Sequence, residues 1–165
     1  MLEQLFGCQK DQIRHLDYGG GNGGLSKRLS QSGWNSHSFD PFPKKGQAAV
    51  GDLGKFNLIT AFEVFEHVPD PKALIRNLSG LMEDDAVILF STLLTDGHVE
   101  AGKKLSWWYA SPRNGHISLF SKKSLQTLQT SHANDLHLVS FNEGFHGLFR
   151  TIPEWARHVL RQTSP

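Results

Sequence analysis

Apolar positions fall into short runs separated by stretches of helical spacing. Ile13 to Tyr18 reads as a first strand. After a run of glycines, Leu25 and Leu29 share one helix face, and Gly33 marks its end. Asn35 to Phe39 gives a second strand, stopped by Asp40 and Pro41. A short strand is expected around Ala48 to Val50, followed by a fourth at Phe56 to Phe62. Asp70 and Pro71 open a helix that carries Leu74, Ile75, Leu78 and Leu81 on one side, with proline suited to the first turn. The continuous apolar run Ala86 to Thr92 suits a central strand covered on both faces. Ser121 caps a helix reaching about His132, and Leu136 to Phe141 and Phe145 to Thr151 read as strands joined by a turn at Asn142 to Gly144. Pro153 opens a short terminal helix. Strands alternating with helices predict an α/β fold whose mostly parallel sheet is covered on both faces.

Composition narrows the picture. A chain of 165 residues fits one domain. Its 38% hydrophobic content, with 11 Phe and 4 Trp, can build a core. Basic and acidic residues nearly balance, 17 against 16, which argues against stable binding of nucleic acid or of an anionic membrane. Cys8 is the single cysteine, so an internal disulfide and thiolate zinc fingers are excluded. The start lacks the pattern of a signal peptide, and no apolar run approaches the ~20 residues that cross a bilayer. A soluble, cytoplasmic protein is expected.

The chemistry concentrates after the first strand. Glycines there let the chain turn sharply and let a ligand approach the main chain without meeting a Cβ atom. Gly19, Gly21 and Gly24 satisfy GxGxxG, while Gly19, Gly21 and Gly23 satisfy GxGxG, so the loop alone leaves both open. Asp17, just before it, would crowd a pyrophosphate, yet it could organise a loop around a cofactor carrying an ammonium group. Asp40 ends the second strand, where a carboxylate can accept from ribose hydroxyls. Asp52, after Gly51, could accept from an adenine amino group.

With those residues in view, the chain resembles the class I S-adenosylmethionine-dependent methyltransferases. The run Leu16 to Gly23 is similar to that family's glycine motif, and Phe39 with Asp40 to its ribose-binding strand end. FNLITAFEVFEHVPDP, Phe56 to Pro71, is the most family-specific piece, and WYASPRNGHISLFS, Trp108 to Ser121, also resembles a segment of some small members. The resemblance runs from about Ile13 to Arg150. It implies a three-layer Rossmann-like sandwich, with a seven-stranded mostly parallel sheet whose last strand is antiparallel. It also implies S-adenosyl-L-methionine as cofactor and S-adenosyl-L-homocysteine as product. Family members usually carry helices ahead of the first strand, whereas about a dozen residues precede Ile13. The expectation is a single domain with a shortened N-terminal cap.

On this reading Asp17, Gly19, Gly21 and Gly23 accommodate the methionine portion and Asp40 the ribose. Asp52 and Leu53 border adenine, Ala61 and Phe62 form a wall, and Glu63 touches the methionine end or the acceptor. Glu66 reads as structural. His67 and His116 are candidate general bases, because an imidazole titrates near neutrality, while a loop-steadying hydrogen bond is the alternative for each. Trp107, Trp108 and Tyr109 could stack on a planar acceptor, pack a lid, or serve a dimer. The scattered remaining histidines suggest no metal site. The expected reaction is methyl transfer to an oxygen, nitrogen or carbon of a small-molecule acceptor. Its rivals are a non-catalytic or partner-dependent cofactor-binding module and a nicotinamide-dependent oxidoreductase.

Overall fold

Among residues 1–41 and 52–160, which the computed structural model describes, six strands form one sheet. β1 (Arg14–Tyr18), β2 (Asn35–Phe39), β3 (Phe56–Phe62) and β4 (Met82–Ser91) pair in parallel. β6 (Phe145–Phe149) runs antiparallel to both β4 and β5 (His137–Ser140), which gives the order β2-β1-β3-β4-β6-β5. The last strand is thus antiparallel, as the resemblance implied. Six strands stand where seven were expected, and the short strand expected at 48–50 lies outside the described residues.

Alternation across the sheet explains the central run. Along β4, Ala86, Ile88 and Phe90 join one apolar cluster, while Val87 and Leu89 join another. A strand buried on both faces can carry no polar side, so it reads as unbroken hydrophobicity. Leu74, Ile75 and Leu78 of α3 (Pro71–Gly80) and Leu125 and Leu128 of α4 (Lys122–His132) fill the first cluster. Leu2 and Phe6 of α1 (Leu2–Phe6), Leu29 of α2 (Gly24–Gln31), and Trp34 fill the second. Cys8 to Gln12 lie in a 3-10 stretch between α1 and β1.

The helix starts follow their capping chemistry. The Asp70 carboxylate accepts from the Ala73 amide at 3.0 Å with Pro71 in the first turn, and Ser121 and Ser124 form a reciprocal capping box. β4 begins at Met82, ahead of the predicted Ala86, because Glu83, Asp84 and Asp85 are exposed and carry no hydrophobic signal. The pairing of β3 with β4 shifts register there, between Phe56 and Leu58. After Pro153, a 3-10 turn at Glu154–Ala156 precedes α5 (Arg157–Leu160).

β2 lies on one side of β1 and β3 on the other. The chain order reverses at that point, which opens a crevice beyond the carboxyl ends of the strands. No helix among the described residues is long and apolar enough to cross a membrane.

Candidate functional site

The glycine loop leaves β1 at this crevice and is tied to the end of β2. The Gly19 amide donates to the Phe39 carbonyl at 2.7 Å, and the Gly21 amide to Asp40 Oδ2 at 2.8 Å. Gly19, Gly21 and Gly23 have φ of 77°, 58° and 72°, in the left-handed region where a side chain is strained. At Gly19 a Cβ would also stand 2.5 Å from a methyl of Val64, so only glycine fits. Around Gly21 and Gly24 a Cβ would meet nothing within 4 Å, which leaves the outer surface of the loop open.

Asp17 supports the loop from beneath. It is buried, accepts from Thr60 Oγ1 at 2.9 Å, and its other oxygen lies where a Cβ on Gly20 would approach to 2.4 Å. Burial pushes its pKa up, with the Thr60 hydroxyl acting in the opposite direction. His15 extends this network, reaching Ser36 Oγ at 2.7 Å and Thr60 Oγ1 at 3.0 Å. Burial, reinforced by His37, pulls the His15 pKa down to about 3. A neutral imidazole therefore sits under the loop.

The other expected positions differ in burial and in partners. Asp52 is exposed. Leu53 packs against the first apolar cluster, and its carbonyl accepts from Arg14 Nη2 at 2.9 Å. Ala61 is fully buried and Phe62 half-buried against Phe145. Glu63 has φ of 52°, unusual for a side-chain-bearing residue. The Ser91 hydroxyl at the end of β4 holds it, accepting from the Glu63 amide at 2.8 Å and donating to its carboxylate at 2.9 Å.

Beyond Glu63 the chain builds a second polar centre. Glu66 is fully buried. Its Oε1 accepts from the Tyr109 hydroxyl at 2.6 Å, while Oε2 has no hydrogen-bond partner. Burial raises the Glu66 pKa; the Tyr109 hydrogen bond opposes this, and the nearby Glu63 carboxylate adds to it. The Tyr109 phenol is also pushed up, by burial and then by Glu66. His67 Nδ1 donates to the Gly115 carbonyl at 3.0 Å, and His116 Nδ1 to the Tyr109 carbonyl at 2.7 Å. The two rings meet edge to face with centroids 4.8 Å apart. The Glu66 carbonyl accepts the Ile117 and Ser118 amides, stitching the long loop after β4 onto the segment after β3.

A family model of methyltransferase domains matches residues 1–140. The chain belongs to the methyltransferase domain family. A ubiquinone biosynthesis O-methyltransferase from Bordetella avium is 28% identical over 114 residues, covering 56% of this chain and 47% of the relative. One from Glaesserella parasuis is 38% identical over 47 residues, covering 28% of this chain and 20% of the relative. The chain thus spans less than half the length of these curated relatives. The fold matches that of Streptomyces venezuelae DesVI, with TM-score 0.60 at 12% identity, covering 91% of this chain and 89% of that one. It also matches an O-methyltransferase of neocarzinostatin biosynthesis crystallised with S-adenosyl-L-homocysteine and 1,4-dihydroxy-2-naphthoic acid. There the TM-score is 0.59 at 13% identity, covering 91% of this chain and 55% of that one.

Within this methyltransferase domain, the structure brings His67 and His116 together, and ties Asp40 to Gly21, as separate sequence signals could not. Ser91 and Thr60 carry no expectation from the sequence, and Tyr109 carries only that of stacking on an acceptor, packing a lid or serving a dimer. Tyr109 belongs to an aromatic triplet whose rings stay in contact, with Trp107 and Trp108 centroids 5.0 and 5.5 Å from its own, but whose exposure differs: Trp108 is exposed, Trp107 also stacks on His98, and Tyr109 is buried. Its place in the Trp108 to Ser121 segment, which resembles small family members, is a second signal.

Proposed function

We propose that this domain binds S-adenosyl-L-methionine in the crevice beyond β1, β2 and β3 and transfers its methyl group to an oxygen of a small-molecule acceptor. The observation that carries the reading is the Asp40 carboxylate holding the Gly21 amide at 2.8 Å, within a chain of methyltransferase lineage. When bound, S-adenosyl-L-methionine supplies a methyl on a sulfonium, leaving S-adenosyl-L-homocysteine after displacement. The protein's work is then alignment and exclusion of water.

In this proposal Gly19, Gly21 and Gly23 give the methionine portion close access to main chain, and Asp17 acts by shaping that loop. A carboxylate accepts several hydrogen bonds, so Asp40 can fix the loop and hold ribose hydroxyls together. Asp52 and Leu53 border adenine, and the backbone of Ala61 and Phe62 forms the wall. Glu63 faces the methionine end or the acceptor. His67 and His116 use their Nδ1–H groups on carbonyls, which leaves each Nε2 able to take the acceptor's proton. The O-methyltransferase relatives favour oxygen over nitrogen or carbon as the nucleophile. The seven-stranded, three-layer form of the sheet, the single-domain organisation and a cytoplasmic location belong to the same reading.

Calorimetry with S-adenosyl-L-homocysteine tests it. Loss of the Asp40 hydrogen bonds in Asp40→Ala should cost about 1.5–3 kcal/mol of binding, since the accepting group is charged. Unchanged affinity would remove Asp40 from the site. Saturable binding of a nicotinamide dinucleotide, with none of the homocysteine compound, would overturn the assignment altogether.

A further inference from the structure

We propose that His15 is a positioning residue for the glycine loop: a one-way line of hydrogen bonds, running from Ser36 through His15 and Thr60, fixes the Asp17 carboxylate beneath Gly20. Strand alternation builds the line. His15 and Asp17 are two apart on β1, so their side chains share a face of the sheet. In the parallel register Ser36 of β2 lies beside His15, and Thr60 of β3 lies beside Asp17. The same face carries Ile13, Leu58, Val87 and Leu89, whereas Leu16 and Tyr18 point into the opposite cluster. A polar row therefore crosses an apolar layer.

The direction of each bond follows from the chemistry of the row. A carboxylate only accepts, so the single Thr60 hydroxyl hydrogen goes to Asp17 Oδ1 at 2.9 Å. Thr60 Oγ1 then receives from His15 Nε2 at 3.0 Å, which places the imidazole proton on Nε2. Burial keeps that ring neutral, with its pKa at about 3, so Nδ1 is a bare acceptor and Ser36 Oγ donates to it at 2.7 Å. Ser26 Oγ of α2 stands 3.1 Å from Ser36 Oγ and continues the row to the helix that follows the loop.

His15, Thr60 and Asp17 are all buried, so water does not stand in for a lost member, and a satisfied buried row of this kind holds its members rigidly. Thr60 takes one carboxylate oxygen of Asp17. The other lies under Gly20, where a Cβ would approach to 2.4 Å, so the orientation of the carboxylate is felt by the loop main chain. Apolar side chains in place of His15 and Thr60 would fill the same space, yet they would leave the carboxylate free to turn. Orientation, not volume, is what the row adds. Its effect on cofactor affinity rests on the proposed function, whereas the line itself does not.

Nitrogen NMR of the labelled full chain at neutral pH reads the line without any ligand. The neutral Nε2–H tautomer is expected for His15, and an Nδ1–H tautomer or an imidazolium overturns the proposal. Calorimetry with S-adenosyl-L-homocysteine then separates positioning from packing, with circular dichroism and melting to confirm that each variant is folded. His15→Gln sets its amide nitrogen near the place of Nε2 and should keep the parent affinity within about twofold, whereas His15→Asn reaches only as far as Nδ1 and should weaken binding roughly threefold to tenfold. Thr60→Val removes a bond to a charged group and should weaken binding by about tenfold or more, with Thr60→Ser restoring most of it. Because His15 acts through Thr60, adding His15→Asn to Thr60→Val should weaken binding no further. Equal affinities for the folded Asn and Gln variants, or an undiminished His15→Asn loss on the Thr60→Val background, overturn the proposal. If the parent binds no S-adenosyl-L-homocysteine, the functional reading falls and the His15 tautomer alone decides this inference.

Discussion

At the ends of β1 and β2 the site is lined by main chain held in place by one carboxylate. At the ends of β3 and β4 it is lined by side chains from segments far apart in sequence, joined by the Glu66 to Tyr109 bond across 43 positions. The first end needs conformations that only glycine adopts without strain, so it is damaged by adding atoms. The second depends on hydrogen bonds between side chains, from the buried Glu66–Tyr109 pair to the exposed Glu63–Ser91 pair, so it is damaged by removing them. Both ends rest on buried titratable groups, His15 and Asp17 under the loop and Glu66 and His146 on the other side.

The largest effect expected is that of acid on the loop end. His15 has its pKa pulled from the ordinary 6.5 to about 3 by burial. The unfolded chain takes up that proton below pH 6.5 and the folded chain does not, so stability is lost as pH falls. Each pH step below 6.5 costs at most about 1.4 kcal/mol, and the loss is complete near pH 3. His146 is lowered as well and acts in the same direction. Asp17 and Glu66, both raised by burial, oppose it: in their range the folded chain keeps a proton that the unfolded chain releases, so they favour the fold at lower pH. Melting temperature followed from pH 7 to 4 should fall in the parent and fall less steeply in a folded His15→Gln. Equal slopes would mean that His15 does not control the loop end.

Next in size is Gly19→Ala, where left-handed strain of about 1–2 kcal/mol adds to a clash with Val64 of about 1–3 kcal/mol. Gly21→Ala has the strain without the clash and should cost only about 1–2 kcal/mol. Equal losses in chemical denaturation would show that contact with Val64 is not what restricts Gly19.

At the other end, Tyr109→Phe deletes one hydroxyl and leaves the Glu66 carboxylate without its donor, for a loss of about 1–3 kcal/mol in denaturant midpoint analysis. A neutral result would mean that the pair contributes nothing net, and the contrast between the two ends would weaken. Smallest is Ser91→Ala, which releases the exposed Glu63 for about 0.5–1.5 kcal/mol. Its more telling readout is acceptor-side kinetics, where a changed KM is expected if Glu63 lies beside the acceptor.

The two ends also differ in how legible they were. The turn of the glycine loop, the end of β2 before Asp40 and the capped helices are legible in the sequence because each is set by neighbours within a few residues, through left-handed φ, a strand end or an N-cap, whereas the bond from Gly21 to Asp40 is not. The start of β4 was missed because Glu83 to Asp85 stay in the strand while leaving the core, so hydrophobicity stopped before the hydrogen bonding did. Glu66 read as structural, and its unpartnered oxygen could not be seen, because burial of one carboxylate oxygen depends on how the loop after β4 folds back. His67 and His116 were singled out for separate reasons, and nothing in their spacing revealed that the rings touch.

By itself the sequence determined the alternation of strands and helices, the unbroken apolar centre of β4, and the side-chain-free turn after β1. Those features follow from local backbone preference and the burial of neighbouring residues. Tertiary structure alone decided that Tyr109 would reach Glu66, that His67 and His116 would share one corner, and that Val64 would close on Gly19. Such contacts join segments whose separation along the chain carries no periodic signal, and they form only when sheet order and loop return bring them within reach.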